Sequence, residues 1–470
     1  MKPDPVLAPV LSRIDASQPE ALERLMELLR IASISTDPAY APQCDAAADW
    51  LVKDLQSIGF TAEKRPTQGH PMVVAHAEGP ENAPHVLFYG HYHVLFYGHY
   101  DVQPVDPLDL WERPPFEPAL EETEGGTVIR ARGASDDKGQ LMTFLEACRA
   151  WKSEHGALPI RISVLLEGEE ESGSPSLVPF LHENAAELTA DIALICDTGL
   201  FESAVPAITT QLRGLLGEQF TIRGASRDLH SGMYGGLAGN PLHVLARLIA
   251  GLHDENGRIT LPGFYDDVPE LSDEIRAQWQ GLNFDHGAYL GDVGLSVPAG
   301  EHDRTPLEMI WSRPTCEVNG MWGGYIGDGF KTVLPGEAHC KLSFRLVGQQ
   351  DPDKIHAAFA EYIESNIPED FEVIWHESRG SRASQMAIDN PAFEQARQAL
   401  SDEWPRPAAY IGCGGSIPIA GHFKEILAMD SMLIGFGRDD DQIHSPNEKY
   451  NLESFHKGTR SWARILAALA

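Results

Sequence analysis

The segment from Ile160 to Gly173, IRISVLLEGEEESG, predicts a buried β-strand that ends in a cluster of carboxylates. Residues 160–166 are mostly apolar, which is typical of a strand buried on both faces of a sheet. The glutamates at 169–171 follow directly. Because open α/β sheets bind ligands beyond the carboxyl ends of their strands, we expect these glutamates at the functional edge of such a sheet. The alternative interpretation is a solvated acidic turn.

Strands and helices alternate on both sides of this segment. An amphipathic helix is expected after Ser17, where the letters SQPE match a capping box, and a second helix is expected to end at Gly59. Helical spacing also follows Lys138. Runs of strand-like composition occupy 72–77, 94–97, 127–131 and 191–196. This alternation predicts an α/β fold with an open, mostly parallel sheet.

The chain is too long for one hydrophobic core. It has 470 residues, whereas single cores stop growing at about 250–300 residues. Between residues 206 and 385 the sequence pattern changes to strand-like runs and two helical stretches. This pattern predicts a two-layer α+β domain. We therefore expect one domain formed by 1–205 and 386–470, with a second domain inserted at 206–385.

The composition argues against several classes of partner. Asp and Glu outnumber Lys and Arg by 69 to 36, and the resulting net charge of −33 repels nucleic acid and anionic lipid. We expect neither a signal peptide nor a membrane span. The six cysteines form no CxxC pair, so they indicate neither a zinc knuckle nor a disulfide framework. The expectation is a cytoplasmic protein without a nucleic-acid or membrane partner.

One short sequence occurs twice in tandem. The letters HVLFYGHY at 85–92 are repeated at 93–100. Only the second copy continues into DVQP at 101–104, so we expect its strand to lie in the sheet. The first copy is then expected to form a lengthened loop or an edge hairpin.

Histidine or acidic side chains come just after four of the predicted strands, and this recurrence is the main functional signal. They are His99 with Asp101, Asp136 with Asp137, Glu169–Glu171, and Asp197. If the strand ends meet at one edge, the carboxylates would repel each other. A divalent metal removes this repulsion, and mixed His, Asp and Glu ligands suit Zn²⁺, Mn²⁺ or Co²⁺ better than Ca²⁺ or Mg²⁺.

Each of these groups has a simpler explanation when it is considered alone. His99 fits a hydrogen-bonded histidine at a strand end, and Asp136 with Asp137 fits the N-terminal cap of a helix. Asp197 and the acidic run at 439–441 fit solvated loops. Only the joint pattern favours a metal site.

The chain also carries a series of short motifs. They are GHYDVQP (98–104), RGASDDKG (132–139), EGEEESGS (167–174), ICDT around Asp197, DLHSG (228–232), KTVLP (331–335), SFRLV (343–347), GGSIP (414–418) and HSPNE (444–448). In order and spacing they resemble the co-catalytic di-metal peptidases that include carnosinase, the cytosolic nonspecific dipeptidase, glutamate carboxypeptidase, acetylornithine deacetylase and succinyl-diaminopimelate desuccinylase. The resemblance covers nearly the whole chain, and DLHSG and SFRLV are most similar to the dipeptidase branch.

The resemblance implies two divalent metal ions per subunit, Zn²⁺ first, with Mn²⁺ or Co²⁺ as alternatives. Asp136 would bridge the two ions. His99 and Asp197 would complete one site, and Glu171 and His444 would complete the other.

The resemblance further implies three catalytic roles. Glu170 would be the general base, which takes a proton from the attacking water and passes it to the leaving amine. Asp101 would hold His99 in its ligating tautomer. His230 would stabilise the oxyanion in the active site of the partner subunit, which makes the inserted domain a lid and dimerisation domain of a homodimer.

Arg345, Thr332, Gly415 and Ser416 are implied to bind the substrate, with Arg345 holding its free carboxylate. One position departs from the related dipeptidases, which usually read Arg-Glu before GGSIP where this chain has Gly412-Cys413. An acid that pairs with a free substrate amine is therefore absent there. The sequence is therefore compatible with substrates that have either a free or an acylated amine.

Together these inferences predict a hydrolase that cleaves the peptide bond of dipeptides or similar small substrates with a free carboxylate. The alternatives are an N-acyl-amino-acid deacylase or a carboxypeptidase of the same family. The non-enzyme alternative is a catalytically silent binding or assembly relative, against which the presence of Glu170 argues. A calcium-stabilised acidic scaffold would leave His99 and His444 without a role.

Overall fold

The computed structural model describes residues 5–79, 92–202, 205–376, 378–386, 388–415 and 417–470. Its helices are α1 (Leu7–Ala16), α2 (Gln18–Leu29), α3 (Ala41–Ile58), α4 (Lys138–His155), α5 (Leu177–Glu183), α6 (Ala185–Leu188), α7 (Ser231–Tyr234), α8 (Pro241–Ala250), α9 (Asp273–Gly281), α10 (His286–Gly291), α11 (Pro306–Trp311), α12 (Pro352–Asn366), α13 (Pro391–Glu403), α14 (Pro418–Leu427) and α15 (Leu452–Ala468). Its strands are β1 (Thr61–Arg65), β2 (Met72–Ala77), β3 (His93–His99), β4 (Ala119–Thr123), β5 (Gly126–Arg130), β6 (Arg161–Glu167), β7 (Ile192–Ile195), β8 (Ala207–Leu212), β9 (Gly214–Arg223), β10 (Leu229–His230), β11 (Thr315–Gly323), β12 (Val333–Leu334), β13 (Glu337–Leu346), β14 (Glu372–Trp375), β15 (Arg379–Ser381), β16 (Ser384–Gln385), β17 (Ala409–Cys413), β18 (Asp430–Leu433) and β19 (Lys449–Asn451).

The chain divides into two compact units. The first contains Met1–Thr210, Met386–Ile411 and His422–Ala470, and the second contains Gln211–Gln385 and Gly412–Gly421. The segment Gly412–Gly421 therefore groups with the second unit, although it lies in the range 386–470 expected for the first domain. Among the described residues, every helix is too short or too polar to cross a lipid bilayer.

The first unit is built on a large mixed sheet in the order β1-β2-β6-β3-β7-β18-β8. The central strands β6, β3, β7 and β18 run parallel to one another. The strands on either side, β2 and β8, pair antiparallel with this centre. The predicted α/β fold is confirmed, and its parallel part is the centre of the sheet.

The second copy of the tandem repeat forms β3, as predicted. Its apolar residues are buried on both faces, as expected for a central parallel strand. Phe96 stacks on Phe144 of α4 with ring centroids 3.8 Å apart, and Trp462 of α15 meets both rings edge-on. The first copy, apart from Tyr92, lies outside the described residues.

Two local expectations are wrong. β5 does not belong to the large sheet, because it pairs with β4 and with β19 in a separate three-stranded sheet. Asp136 is therefore not carried by a strand end of the large sheet. Ser17 forms no capping box, because α1 ends directly before it and its hydroxyl donates to the carbonyl of Arg13 at 2.8 Å.

The second unit has the predicted two-layer α+β arrangement. Its antiparallel sheet has the order β11-β13-β9-β14, with β15 also paired to β9. One face of this sheet packs with α8 and α12 around a core that includes Phe220, Leu245, Phe344 and Phe359. A separate short ribbon joins β10 to β12.

Candidate metal centre

Three neighbouring parallel strands bring the first part of the predicted site together. His99 is the last residue of β3, Glu170 and Glu171 lie on the turn that follows β6, and Asp197 follows β7. Since β6, β3 and β7 are adjacent and parallel, their carboxyl ends meet at one edge of the sheet.

Asp136 and His444 complete two groups of side chains with metal-ligand spacing. Within each group, His99–Asp136–Asp197 and Asp136–Glu171–His444, the ligand atoms lie within 4.8 Å of one another. Asp136 belongs to both, through different oxygens: Oδ1 is 3.0 Å from His99 Nε2, and Oδ2 is 2.9 Å from His444 Nε2. His444 Nε2 is also 3.3 Å from Glu171 Oε2, and His99 Nε2 is 4.0 Å from Asp197 Oδ2. All five predicted ligands are therefore close together.

Asp136 is held in place by a buried carboxylate that the sequence reasoning did not single out. Glu448 Oε1 accepts the backbone N–H groups of Ser135 and Asp136 at 2.9 and 3.0 Å. Its Oε2 accepts the N–H of Gly133 at 2.9 Å and the guanidinium of Arg132 at 2.8 Å. Glu448 therefore fixes the loop that carries Asp136 by four hydrogen bonds. Glu448 lies in the motif HSPNE and Arg132 in the motif RGASDDKG. Their opposite charges could have indicated that the two side chains pair.

Asp101 and Asp137 position the other side chains. Asp101 Oδ1 lies 3.4 Å from His99 Nδ1, and the same carboxylate accepts the N–H groups of Glu170 and Glu171. Asp101 thus orients His99 and also fixes the turn that carries both glutamates. Asp137, which is fully buried, accepts the backbone N–H of His99 at 3.1 Å.

The loop before β19 presents His444 in an uncommon backbone conformation. His444 has a φ of 61°, and the nearby Gln442 and Asn447 also have positive φ values. Residues other than glycine enter this left-handed region at an energetic cost, and such residues are concentrated at functional sites. The conformation places the imidazole of His444 beside Asp136 and Glu171.

Burial and mutual repulsion dominate the electrostatics of this cluster. Burial, together with the charge of Asp136, raises the pKa of Asp197 well above its usual value. Burial also raises the pKa of Glu170, and the charges of Glu171 and Asp136 add to the rise. Hydrogen bonds with Asp136 and Glu171 raise the pKa of His444 to about 10. Such pKa shifts are expected for a site in which carboxylates outnumber positively charged side chains.

The donor atoms fit divalent cations of the zinc type. Each group combines an imidazole nitrogen with carboxylate oxygens, a set that Zn²⁺, Mn²⁺ and Co²⁺ accept and that differs from the oxygen-only set of Ca²⁺. Tetrahedral zinc with ligands at about 2.0–2.2 Å places those ligands about 3.3–3.6 Å apart. The separations of 2.9 to 4.0 Å found here bracket that range.

The remaining predicted residues belong to the second unit. His230 on β10 lies next to β12, and the N–H of Ser231 donates to the carbonyl of Thr332 at 3.0 Å. Arg345 lies on β13, and the carbonyl of Gly415 accepts the N–H of Arg213 at 3.1 Å. Ser416 lies outside the described residues.

Comparison with known proteins identifies the family of the chain. The sequence profile of "Peptidase family M20/M25/M40" matches residues 95–468. The chain is 30% identical over 476 residues to the "Cys-Gly metallodipeptidase DUG1" of Candida albicans, covering 97% of this chain and 96% of that protein. It is 28% identical over 486 residues to the "Beta-Ala-His dipeptidase" of Homo sapiens, covering 100% and 94%. The crystal structure of the M20 family metallo-carboxypeptidase Sso-CP2 from Sulfolobus solfataricus superposes with a TM-score of 0.78 at 30% identity, covering 96% and 99%. The chain belongs to peptidase family M20/M25/M40.

Proposed function

We propose that this protein is a metal-dependent dipeptidase, which hydrolyses the peptide bond of dipeptides or similar small substrates with a free carboxylate. The observation that carries the proposal is the pair of ligand groups that share Asp136, with Glu170 on the adjoining turn. The names of the similar proteins from Candida albicans and Homo sapiens support dipeptides as the substrate class.

His99, Asp136 and Asp197 would hold one divalent ion, and Asp136, Glu171 and His444 would hold the other. Zn²⁺ fits this donor set best, with Mn²⁺ or Co²⁺ as alternatives. Bound there, the ions would supply Lewis-acid polarisation of the scissile carbonyl and of the attacking water.

Glu170 would act as the general base. Its neighbour Glu171 is a candidate ligand, and Asp101 accepts the backbone N–H groups of both residues, so the backbone of Glu170 is held beside the ligand cluster. Glu170 would take a proton from the attacking water and deliver it to the leaving amine. Asp101 would act through its hold on His99 and on this turn.

His230 would stabilise the negative charge that develops on the carbonyl oxygen of the substrate. Its Nδ1 accepts the backbone N–H of Gly232 at 3.0 Å, so the proton of the neutral imidazole stays on Nε2. The exposed His230 therefore presents Nε2–H as a hydrogen-bond donor, which is the requirement for this role.

We propose that His230 acts in the partner subunit of a homodimer, with the second unit as the lid and dimerisation domain. Apolar side chains near His230 and Thr332 in the chain are strongly exposed, and a subunit interface would cover them. They are Met233 (75%), Leu237 (87%), Ile326 (87%) and Phe330 (104%).

Arg345 would hold the carboxylate of the substrate, assisted by Thr332, Gly415 and Ser416. No ion pair within 4.0 Å occupies the guanidinium of Arg345 among the described residues, so its donors stay free for a ligand. The cytoplasm is the proposed location, because a peptidase without a disulfide framework suits a reducing compartment.

The test compares one free dipeptide with its N-acetylated form after the metal has been removed by a chelator. Zn²⁺, Mn²⁺ or Co²⁺ is then restored separately, and release of the C-terminal amino acid is measured. Cleavage of the free dipeptide that returns with the metal is the expected result. Cleavage of the acetylated compound alone would instead indicate a deacylase or carboxypeptidase. Inactivity toward both would contradict the proposal and favour a silent relative.

A further inference from the structure

Two arginines with no acidic partner face one cavity in the second unit. On β13, Leu342, Phe344 and Leu346 are buried in the core with α8 and α12. Because side chains alternate along a strand, Arg345 lies on the opposite face of the sheet. Arg213 directly precedes β9, the neighbour of β13, and lines the same cavity as Arg345.

The cavity has the size of a small-molecule site. Its volume is about 680 Å³, within the range of about 300–1,000 Å³ that is usual for ligand pockets. Thr315 and Ser343 extend its floor from the sheet, and the segment 284–310 contributes Tyr289 and Met309 to its wall. The lining of the cavity therefore mixes apolar side chains with polar and charged ones.

The charges in this cavity are unbalanced. A third arginine in its wall, Arg313, is neutralised by Glu301 at 2.9 Å. Arg213 donates one hydrogen bond, from Nε to the carbonyl of Gly414 at 2.9 Å, and in the described part of the chain no carboxylate lies within 4.0 Å of its guanidinium. Burial, together with the charge of Arg345, lowers the pKa of Arg213 to about 10.

Among the described residues that line the cavity, one carboxylate is not held by an arginine. It belongs to Glu317, which is exposed on β11. Arg345 by itself would match the single α-carboxylate of a peptide. The charge of Glu317 acts on Arg213 only from beyond 4.0 Å, so the guanidinium of Arg213 can pair with a second anion from the ligand.

We infer that Arg213 is a specificity-determining residue, which selects substrates whose C-terminal residue has an acidic side chain, Asp or Glu. The inference rests on the proposed function: Arg345 holds the α-carboxylate, and Arg213 pairs with the side-chain carboxylate of the same residue. A planar guanidinium suits such a contact because it donates two parallel hydrogen bonds to one carboxylate.

The kinetic test uses alanyl-glutamate and alanyl-glutamine, which have the same shape and differ by one charge. For the wild-type protein, kcat/KM should favour alanyl-glutamate by about 10- to 100-fold, the range that one hydrogen bond to a charged group supplies. Arg213→Gln should bring the ratio of the two values close to one. Arg213→Lys keeps the charge and should retain most of the preference.

A ratio near one in the wild-type protein would overturn the inference. An equal fall of both kcat/KM values in Arg213→Gln, with the ratio unchanged, would also overturn it, because it would show a purely structural role.

A binding measurement separates this inference from the proposed function. If the protein cleaves no dipeptide, the proposed function fails, and calorimetric titration of the full chain with glutarate and with its monoamide decides the role of Arg213. Tighter binding of glutarate that is lost in Arg213→Gln and kept in Arg213→Lys would support the anion site. Equal binding of the two compounds, or binding that does not change in Arg213→Gln, would refute it.

Discussion

Replacement of Glu448 by glutamine should destabilise the first unit and loosen Asp136. The carboxylate of Glu448 is fully buried and accepts four hydrogen bonds, two on each oxygen. Glutamine has nearly the same shape, but one of its two terminal atoms is an amide nitrogen that donates hydrogen bonds. In either orientation the new amide therefore faces two donors that it cannot satisfy.

The expected loss follows from this count. One orientation leaves the N–H groups of Ser135 and Asp136 without an acceptor. The other leaves the N–H of Gly133 and the guanidinium of Arg132 without one. Each unsatisfied buried donor costs about 1–3 kcal/mol, so two cost about 2–6 kcal/mol. Removal of one partner from a buried ion pair costs about 3–5 kcal/mol, which agrees with that range. We therefore expect a loss of about 3–5 kcal/mol in the free energy of unfolding.

The assay is thermal unfolding of chelator-treated protein at pH 8. Burial raises the pKa of Glu448 to about 7, so the wild-type carboxylate is mostly ionised at that pH, and the cost of burying its charge places the expected loss at the lower end of the range. The unfolding midpoint of the first unit should fall by roughly 6 °C or more.

The matched control is Glu453→Gln, the same chemical change at a side chain that is 54% exposed and paired with Arg438 and Lys457. It should cost less than about 1 kcal/mol. Equal midpoints for Glu448→Gln and Glu453→Gln would refute the reasoning.

Three further outcomes concern the centre itself. Asp136→Ala should remove both metal ions, whereas Asp197→Ala should leave one of them, as measured by metal analysis of desalted protein; equal losses would speak against a shared Asp136. Glu170→Gln should keep the metal content and reduce turnover by roughly 100-fold or more; turnover at the wild-type rate would exclude Glu170 as the base. A mixture of His230→Ala and Glu170→Gln subunits should recover about a quarter of wild-type activity, because random exchange makes half of the dimers mixed and gives each of these one complete site. Absence of any recovery would exclude action of His230 across the interface.

The sequence predicts the central strands well because they depend on local patterns. β2 occupies residues 72–77, as expected from its composition, and β6 runs directly into the turn with Glu170 and Glu171. Since β6, β3 and β7 are neighbours, the residues that follow them come together as predicted. The parallel centre of the sheet is the physical reason for this success.

Features that depend on distant partners were not predictable from local patterns. The sequence of β5 fits a strand of the large sheet as well as one of the three-stranded sheet. One of its actual partners, β19, begins at Lys449, far along the chain. Glu448 likewise acquires its role only when it reaches the loop 132–136. The local letters around Ser17 fit a capping box, but they do not show that another helix ends directly before it.

The most direct test of the central claim is a crystal structure of the zinc-loaded protein with anomalous data collected at the zinc edge. A two-ion centre with a shared carboxylate predicts two anomalous peaks about 3.5–4 Å apart, both beside Asp136. One peak should lie beside His99 and Asp197, and the other beside Glu171 and His444. A single ion, or two ions that do not share Asp136, would contradict it.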